Sequence, residues 1–254
     1  MKPSAFQQFA ELEREHWWFR GRRSVYLELL RGALRSKQVG RVLDVGTGIG
    51  GFLESLQELG GPLYFTERDQ QAASLASTRS GKHGVRALAE QLPFASESFD
   101  LVCMFDVIEH VEEHQQVLQE CLRILSPGGL LALSVPAHPW LFSRNDEVAG
   151  HVRRYRRADL KREVCKAGFR LRRCTFANVL LFPLIVVAVL SSKALCRVFP
   201  AALSPEHTNL SWRLPAWLQR GLHGVFQSEL VLSRHMDLPL GHSLLLIAEK
   251  APQT

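Results

Sequence analysis

Val42-Leu43-Asp44-Val45-Gly46-Thr47-Gly48-Ile49-Gly50-Gly51 is the segment on which the reading of this chain turns. A short apolar strand runs into closely spaced glycines, and Phe52, Leu53, Leu56 and Leu59 then fall on one helical face across residues 50–60. A strand, a glycine turn and a helix in that order let the backbone approach a ligand, with the first N–H groups of the helix aimed at it. Gly46, Gly48 and Gly51 also satisfy G-x-G-x-x-G, so glycine spacing alone does not exclude a dinucleotide site. Asp44 argues against one. Two residues before the first glycine, its carboxylate repels a pyrophosphate and favours a ligand that carries positive charge.

Outward from this segment, strand and helix patterns alternate. Tyr26, Leu29, Leu30 and Ala33 predict a helix over 22–36 upstream. Downstream, strands are expected at Leu63–Thr66, Val85–Ala87, Phe99–Phe105, Leu130–Val135, Phe169–Thr175 and Ser243–Glu249. The helices between them are Gln70–Arg79, closed by Gly81; one carrying Val117, Leu118, Cys121, Leu122 and Leu125, ended by Pro127-Gly128-Gly129; and one carrying Leu160, Val164 and Ala167, stopped by Gly168. This rhythm predicts an α/β fold, a Rossmann-like doubly wound and mostly parallel seven-stranded sheet with helices on both faces. The expected divisions are an N-terminal helical cap or lid (1–36), the core (37–175), a helical insert before the last strand (176–240), and the final strand with its tail (241–254). The insert opens with Val179–Leu190, twelve residues without a polar side chain. A bilayer span needs roughly 20, so a pocket wall or buried helix is expected, with membrane-surface contact as the alternative.

The composition, 46% hydrophobic and 22% charged over 254 residues, is that of a folded protein. Cys103, Cys121, Cys165, Cys174 and Cys196 are dispersed, with no C-x-x-C pair, and read as reduced thiols. The N-terminus lacks the apolar stretch of a secretory signal, so a cytoplasmic location is expected, with possible association with the inner face of the membrane. Residues 151–173 hold ten Lys/Arg against Asp159 and Glu163, a local charge of +8 in a chain whose total is +6. Such a stretch attracts phosphates, nucleic acid or an anionic membrane surface, unless it is a solvated helix face. Nucleic acid is disfavoured, because no RNA-binding module is present and the cluster is not interleaved with several aromatics.

An acid two residues ahead of G-x-G-x-G resembles the first motif of the class I methyltransferases that use S-adenosylmethionine (SAM), whose sulfonium and α-ammonium suit Asp44. The likeness continues in order through Tyr64-Phe65-Thr66-Glu67, Ala89-Glu90-Gln91-Leu92-Pro93-Phe94, Ser98-Phe99-Asp100-Leu101-Val102, Asp106-Val107-Ile108-Glu109-His110-Val111 and Leu125-Ser126-Pro127-Gly128-Gly129-Leu130-Leu131. The resemblance implies a SAM-dependent methyltransferase that releases S-adenosyl-L-homocysteine. It implies cofactor contacts at Asp44, Gly46, Thr47, Gly48, Glu67, Arg68, Ala89, Glu90, Phe105 and Asp106, with Glu67 on the ribose hydroxyls. Family members often carry an Asp just before Ala-Glu; here that residue is Leu88, which leaves the adenine to backbone groups and apolar packing. His16-Trp17-Trp18-Phe19, Gly150-His151-Val152-Arg153-Arg154-Tyr155 and Leu181-Phe182-Pro183-Leu184 together resemble a bacterial group, similar to the ubiquinone and menaquinone biosynthesis methyltransferases, and imply a small-molecule, lipid-like or glycan-linked acceptor.

Alignment of an acceptor with an activated methyl provides much of the rate, and a base is needed only where the acceptor must lose a proton. His110, His151 and Tyr155 are the candidate catalytic residues, with a locally bonded helix-start residue as the other reading of His110. Trp17, Trp18, Asn145 and Arg154 are the candidate substrate contacts. For them the alternatives are an aromatic cluster that packs the N-terminal helix and a surface loop of internal ion pairs. Asp106, Glu109 and His110 also resemble a metal cluster of some catechol and RNA O-methyltransferases. Near-identical segments occur in relatives without metal, so no metal is expected. The rival readings are a SAM-binding protein without turnover and an RNA methyltransferase using 151–173. A monomer or homodimer is expected.

Overall fold

β1 (Val42–Val45) divides its side chains as a doubly covered strand must: Leu43 and Val45 enter one apolar cluster and Val42 enters another. The computed structural model describes residues 16–34, 39–198 and 215–252. α1 (Trp17–Leu34) precedes β1, and α2 (Leu53–Gln57), β2 (Leu63–Glu67), α3 (Gln70–Ser80) and β3 (Gly84–Arg86) follow it. Next come β4 (Phe99–Phe105), α4 (His114–Ile124), β5 (Leu125–Pro136), α5 (Arg144–Ala149), α6 (Arg157–Lys166) and β6 (Phe169–Ala177). α7 (Phe182–Val198), α8 (Ala216–His235) and β7 (Ser243–Lys250) complete the described chain.

The strands form one seven-stranded sheet in the order β3-β2-β1-β4-β5-β7-β6. β1 to β5 pair in parallel, and β7 runs antiparallel between β5 and β6. Strand order reverses between β1 and β4, which makes that crevice the topological switch point, where an open α/β sheet binds its ligand beyond the strands' carboxyl ends. On one face Val117, Leu118, Cys121, Leu160 and Val164 cover the sheet from α4 and α6; on the other, Leu30, Leu53, Leu56 and Ala76 do so from α1, α2 and α3.

The expected elements are present with shifted ends. Asp69 caps α3 by accepting from the N–H groups of Gln71 and Ala72, and Gly81 closes it at φ +66°. Helix α4 stops one residue before Leu125, and that residue already pairs with Phe99 in the sheet. Pro127-Gly128-Gly129 therefore forms an irregularity inside β5 and does not terminate the helix. β6 runs two residues beyond the expected Thr175, and its exit is tied to α8 by Glu229, whose carboxylate accepts from the N–H groups of Asn178 and Val179.

The apolar run from Val179 is not a buried core helix. Leu181, Phe182 and Val189 are buried, whereas Leu180, Leu184, Val187 and Leu190 face outward, and Leu184 is 63% exposed. Among the described residues no helix is long and apolar enough to cross a membrane.

α1 and α8 pack face to face, with Gly21 against the ring of Phe226. A Cβ at Gly21 would lie 2.4 Å from that ring's Cγ. Gly→Ala inside a helix ordinarily gains about 1 kcal/mol, but overpacking a buried ring costs about 1–3 kcal/mol. The clash wins, so Gly21→Ala is expected to lower Tm, and thermal unfolding of the variant against wild type checks it.

Candidate active site

The glycine turn leaves β1 with Gly46 at φ +68° and Gly48 at φ +59°, a backbone conformation that glycine adopts without strain. Gly46 and Thr47 both donate their N–H groups to the Thr66 carbonyl at the end of β2. A Cβ on Gly46 would come within 2.8 Å of Val107, which leaves β4 directly against the turn, while beyond Gly48 the space is open. Asp44 is 3% exposed and accepts a 2.7 Å hydrogen bond from the Thr47 hydroxyl. Glu67 accepts from the N–H groups of Gly48 (2.8 Å) and Asp69 (2.9 Å), so one carboxylate joins the turn to the start of α3.

Arg68 is exposed beside Glu67, and Ala89 and Glu90 lie on the turn beyond β3, where Leu88 is 53% exposed. Phe105, at the end of β4, packs with Phe52 and Tyr26 at ring centroids of 4.5 and 5.3 Å. Asp106 follows at φ +56° and accepts from the Ser134 hydroxyl (3.0 Å) and from Arg22 of α1. The open space at Gly48, a buried acid at each of the first two strand ends and an exposed apolar residue at the edge fit a ligand with a cationic end, a ribose and an adenine. Asp44, Gly46, Thr47, Gly48 and Glu67 would hold it.

After β5, Asp146 organises the loop that carries His151 and Arg154. It is 1% exposed and accepts from His151 Nδ1 (2.9 Å), Arg154 Nε (2.7 Å) and the Ser143 N–H (2.8 Å). Burial alone would raise its pKa, but the hydrogen bonds from His151 and Arg154 hold it far below the usual carboxylate range. His110 stacks edge-on to His151 at 4.7 Å, and its Nδ1 meets the Gly150 carbonyl at 3.0 Å. Burial, then the neighbouring His151, lowers the His110 pKa. His151 Nε2 lies 4.0 Å from Glu109, a fully buried carboxylate.

Two expectations need correction. Tyr155 is 4% exposed and donates to the Ile108 carbonyl at 3.3 Å; burial pushes its pKa above that of an ordinary phenol, so it is a core residue and not a base. Arg154 is directed inward to Asp146, the Ala137 carbonyl and His242, and is not aimed at an acceptor. Trp17 and Trp18 pack on Phe226 at 5.9 and 5.8 Å, so the aromatic cluster joins α1 to α8, with both rings partly exposed; Trp18 also meets His242 at 5.3 Å. Asn145 is partly buried on α5, one residue before Asp146.

Several cations of the basic stretch pair within the protein. Arg153 pairs with Glu112, Arg157 and Arg173 with Asp237, Arg162 with Asp159, and Arg170 and Arg172 with Glu249. Arg22, Asp146 and His242 are the site residues that sequence reading did not select. The partners of Arg22 and His242 lie more than 80 residues away, whereas Asp146 is bonded within its own Asn145–Tyr155 loop and by Ser143.

Residues 43–133 match the methyltransferase domain family. The chain is 31% identical over 122 residues to a ubiquinone biosynthesis O-methyltransferase of Parvibaculum lavamentivorans, covering 46% of this chain and 48% of that protein. It is 32% identical over 180 residues to an uncharacterized methyltransferase of Mycobacterium leprae, covering 69% and 66%. A Bacillus halodurans structure provisionally described as a methyltransferase superposes with a TM-score of 0.60 at 18% identity, covering 89% of this chain and 98% of that one. The chain thus spans about half the length of the first curated relative. With this match, the sheet order and the strand-end acids, the chain belongs to the class I SAM-dependent methyltransferases.

Two measurements follow. Glu67→Ala is expected to weaken S-adenosylhomocysteine binding about 30-fold, equivalent to about 2 kcal/mol for lost charged hydrogen bonds, with the fold checked by circular dichroism. His242, depressed to about 3 by burial and then by Arg154 and Arg22, is neutral when folded. The unfolded chain binds its proton below about pH 6.5, so this stabilisation is complete above that pH and falls as pH drops toward 3. Between pH 7 and 5 the wild type is expected to lose about 1–2 kcal/mol that His242→Gln does not lose, read from denaturant unfolding at each pH.

Proposed function

We propose that this protein transfers the methyl of SAM to an oxygen of a lipid-like acceptor and works at a membrane surface. SAM supplies an electrophilic methyl, so the protein's task is to hold the acceptor in line and accommodate its proton. The observation that carries the reading is the contact of Val107 with Gly46, which sets the segment of Glu109 and His110, with His151 beside it, directly after the cofactor turn. His110 and His151, the latter oriented by Asp146, border the place where an acceptor's oxygen would be activated to lose its proton.

The exposed apolar face of α7 supports a lipid-like acceptor. Leu184, Val187 and Leu190 face outward, and Lys193 bonds the carbonyl of Trp140, itself 52% exposed, so the apolar face borders the loop that follows β5. The similarity to ubiquinone biosynthesis O-methyltransferases points the same way. The internal pairing of the 151–173 cations argues against RNA as the acceptor.

The test is incubation of the chain with methyl-labelled SAM and either a bacterial lipid extract or total RNA. Label is expected in the organic phase, and His151→Asn is expected to slow transfer by about 10²–10⁴-fold with S-adenosylhomocysteine binding retained. Binding without label in the lipid extract, or label in RNA, would overturn the lipid-like acceptor, and binding without turnover on any acceptor is what the non-catalytic reading requires. Leu184→Glu with Val187→Glu is expected to abolish co-sedimentation with liposomes; equal sedimentation of wild type and variant would remove membrane contact.

A further inference from the structure

A carboxylate sealed from solvent with no hydrogen bond leaves a large desolvation cost uncompensated, and Glu109 is in that position. It is 0% exposed, and neither of its oxygens has a hydrogen-bond partner among the described residues. Two imidazoles stand beside it with their Nδ1 atoms engaged, His110 by the Gly150 carbonyl and His151 by the Asp146 carboxylate. A carbonyl and an ionised carboxylate only accept, so each Nδ1 carries a proton. In the neutral rings each Nε2 is then a bare lone pair.

One ligand atom from each of Glu109, His110 and His151 lies within 4.8 Å of the others. Three metal-ligating side chains thus face one another, and the Glu109 oxygens make no hydrogen bond to either ring. A proton on Glu109 does not solve this, because His151 Nε2 is 4.0 Å away, beyond hydrogen-bond reach.

We infer that Glu109, His110 and His151 form a binding site for a divalent transition cation. One carboxylate and two imidazoles suit Mn²⁺, Fe²⁺ or Zn²⁺ better than Mg²⁺ or Ca²⁺, which favour oxygen ligands. Asp106 is outside the set: Ser134 and Arg22 already occupy its oxygens. Asp146 supports the site from behind by fixing the His151 ring, the carboxylate–histidine–metal arrangement found at many metal centres. Ligand atoms around such an ion sit about 3.4 Å apart, so binding draws the three side chains together by about 1 Å. Three protein ligands leave positions open on the partly exposed histidine side. That an acceptor oxygen fills one of them rests on the proposed function; the ion site itself does not.

The experiment is titration of the chelator-stripped full chain with Mn²⁺, followed by electron paramagnetic resonance of the free ion, alongside a separate titration with S-adenosylhomocysteine. One saturable Mn²⁺ per chain is expected. Affinity is expected to fall at least 10-fold in His151→Asn and in Glu109→Gln, and by about 10–100-fold in Asp146→Asn. Glu109→Gln removes a buried charge and keeps the shape, so it is the variant least at risk of unfolding, and retained S-adenosylhomocysteine binding certifies each protein. Absence of saturable Mn²⁺ binding by a chain that binds S-adenosylhomocysteine overturns the inference, as does Mn²⁺ binding that His151→Asn and Glu109→Gln leave unchanged. Loss of S-adenosylhomocysteine binding by the wild type, with Mn²⁺ bound and sensitive to these variants, overturns the cofactor reading and upholds the ion site.

Discussion

The absence of a side chain at Gly46 sets how closely the two halves of the site approach. With its φ at +68° and a hypothetical Cβ 2.8 Å from Val107, the turn after β1 and the exit from β4 occupy space that no other residue shares without displacement. Parallel pairing of β1 with both β2 and β4 brings all three carboxyl ends to one edge. Asp44, Glu67 and Asp106 thus approach a common crevice from three strands. Three acids at one edge repel one another, and the structure answers each: Thr47 bonds Asp44, backbone N–H groups bond Glu67, and Arg22 with Ser134 bonds Asp106.

Asp146 plays the equivalent part in the loop after β5. An isolated carboxylate at 1% exposure would be protonated or destabilising, yet three residues donate to this one, and it stays ionised. The cost of burying it is met by order in the loop. Arg154 is fixed inward, His151 keeps one tautomer, and Ser143 starts α5. Removal of the carboxylate would release all three at once, which makes the loop a cooperative unit.

The fold was legible in the sequence wherever the pattern was local. Periodicity placed all seven strands within a few residues, and Gly81 and Gly168 marked the ends of α3 and α6 through their positive φ. What stayed hidden was decided by residues far apart in sequence. Arg154 and Tyr155 look like exposed site residues in a polar loop until His242 and Ile108 are seen to claim them. The charge of 151–173 suggested an anionic partner because Glu112, Asp237 and Glu249, its actual partners, lie outside the stretch. The run from Val179 was apolar on every side in sequence, and nothing local told which face the Leu141 turn would cover.

The N-terminal helix is where these constraints meet. Arg22 reaches Asp106 at the cofactor edge, while Trp18, four residues earlier, packs on His242, which contacts Arg154 and through it Asp146. One helix thus touches both halves of the site, and Phe226 of α8 packs tightly behind it at Gly21. A segment held at a buried ion pair, an aromatic cluster and a close helix crossing opens only by breaking all three. α1 therefore ties Asp106 at the end of β4 to His242 before β7 through one packed element.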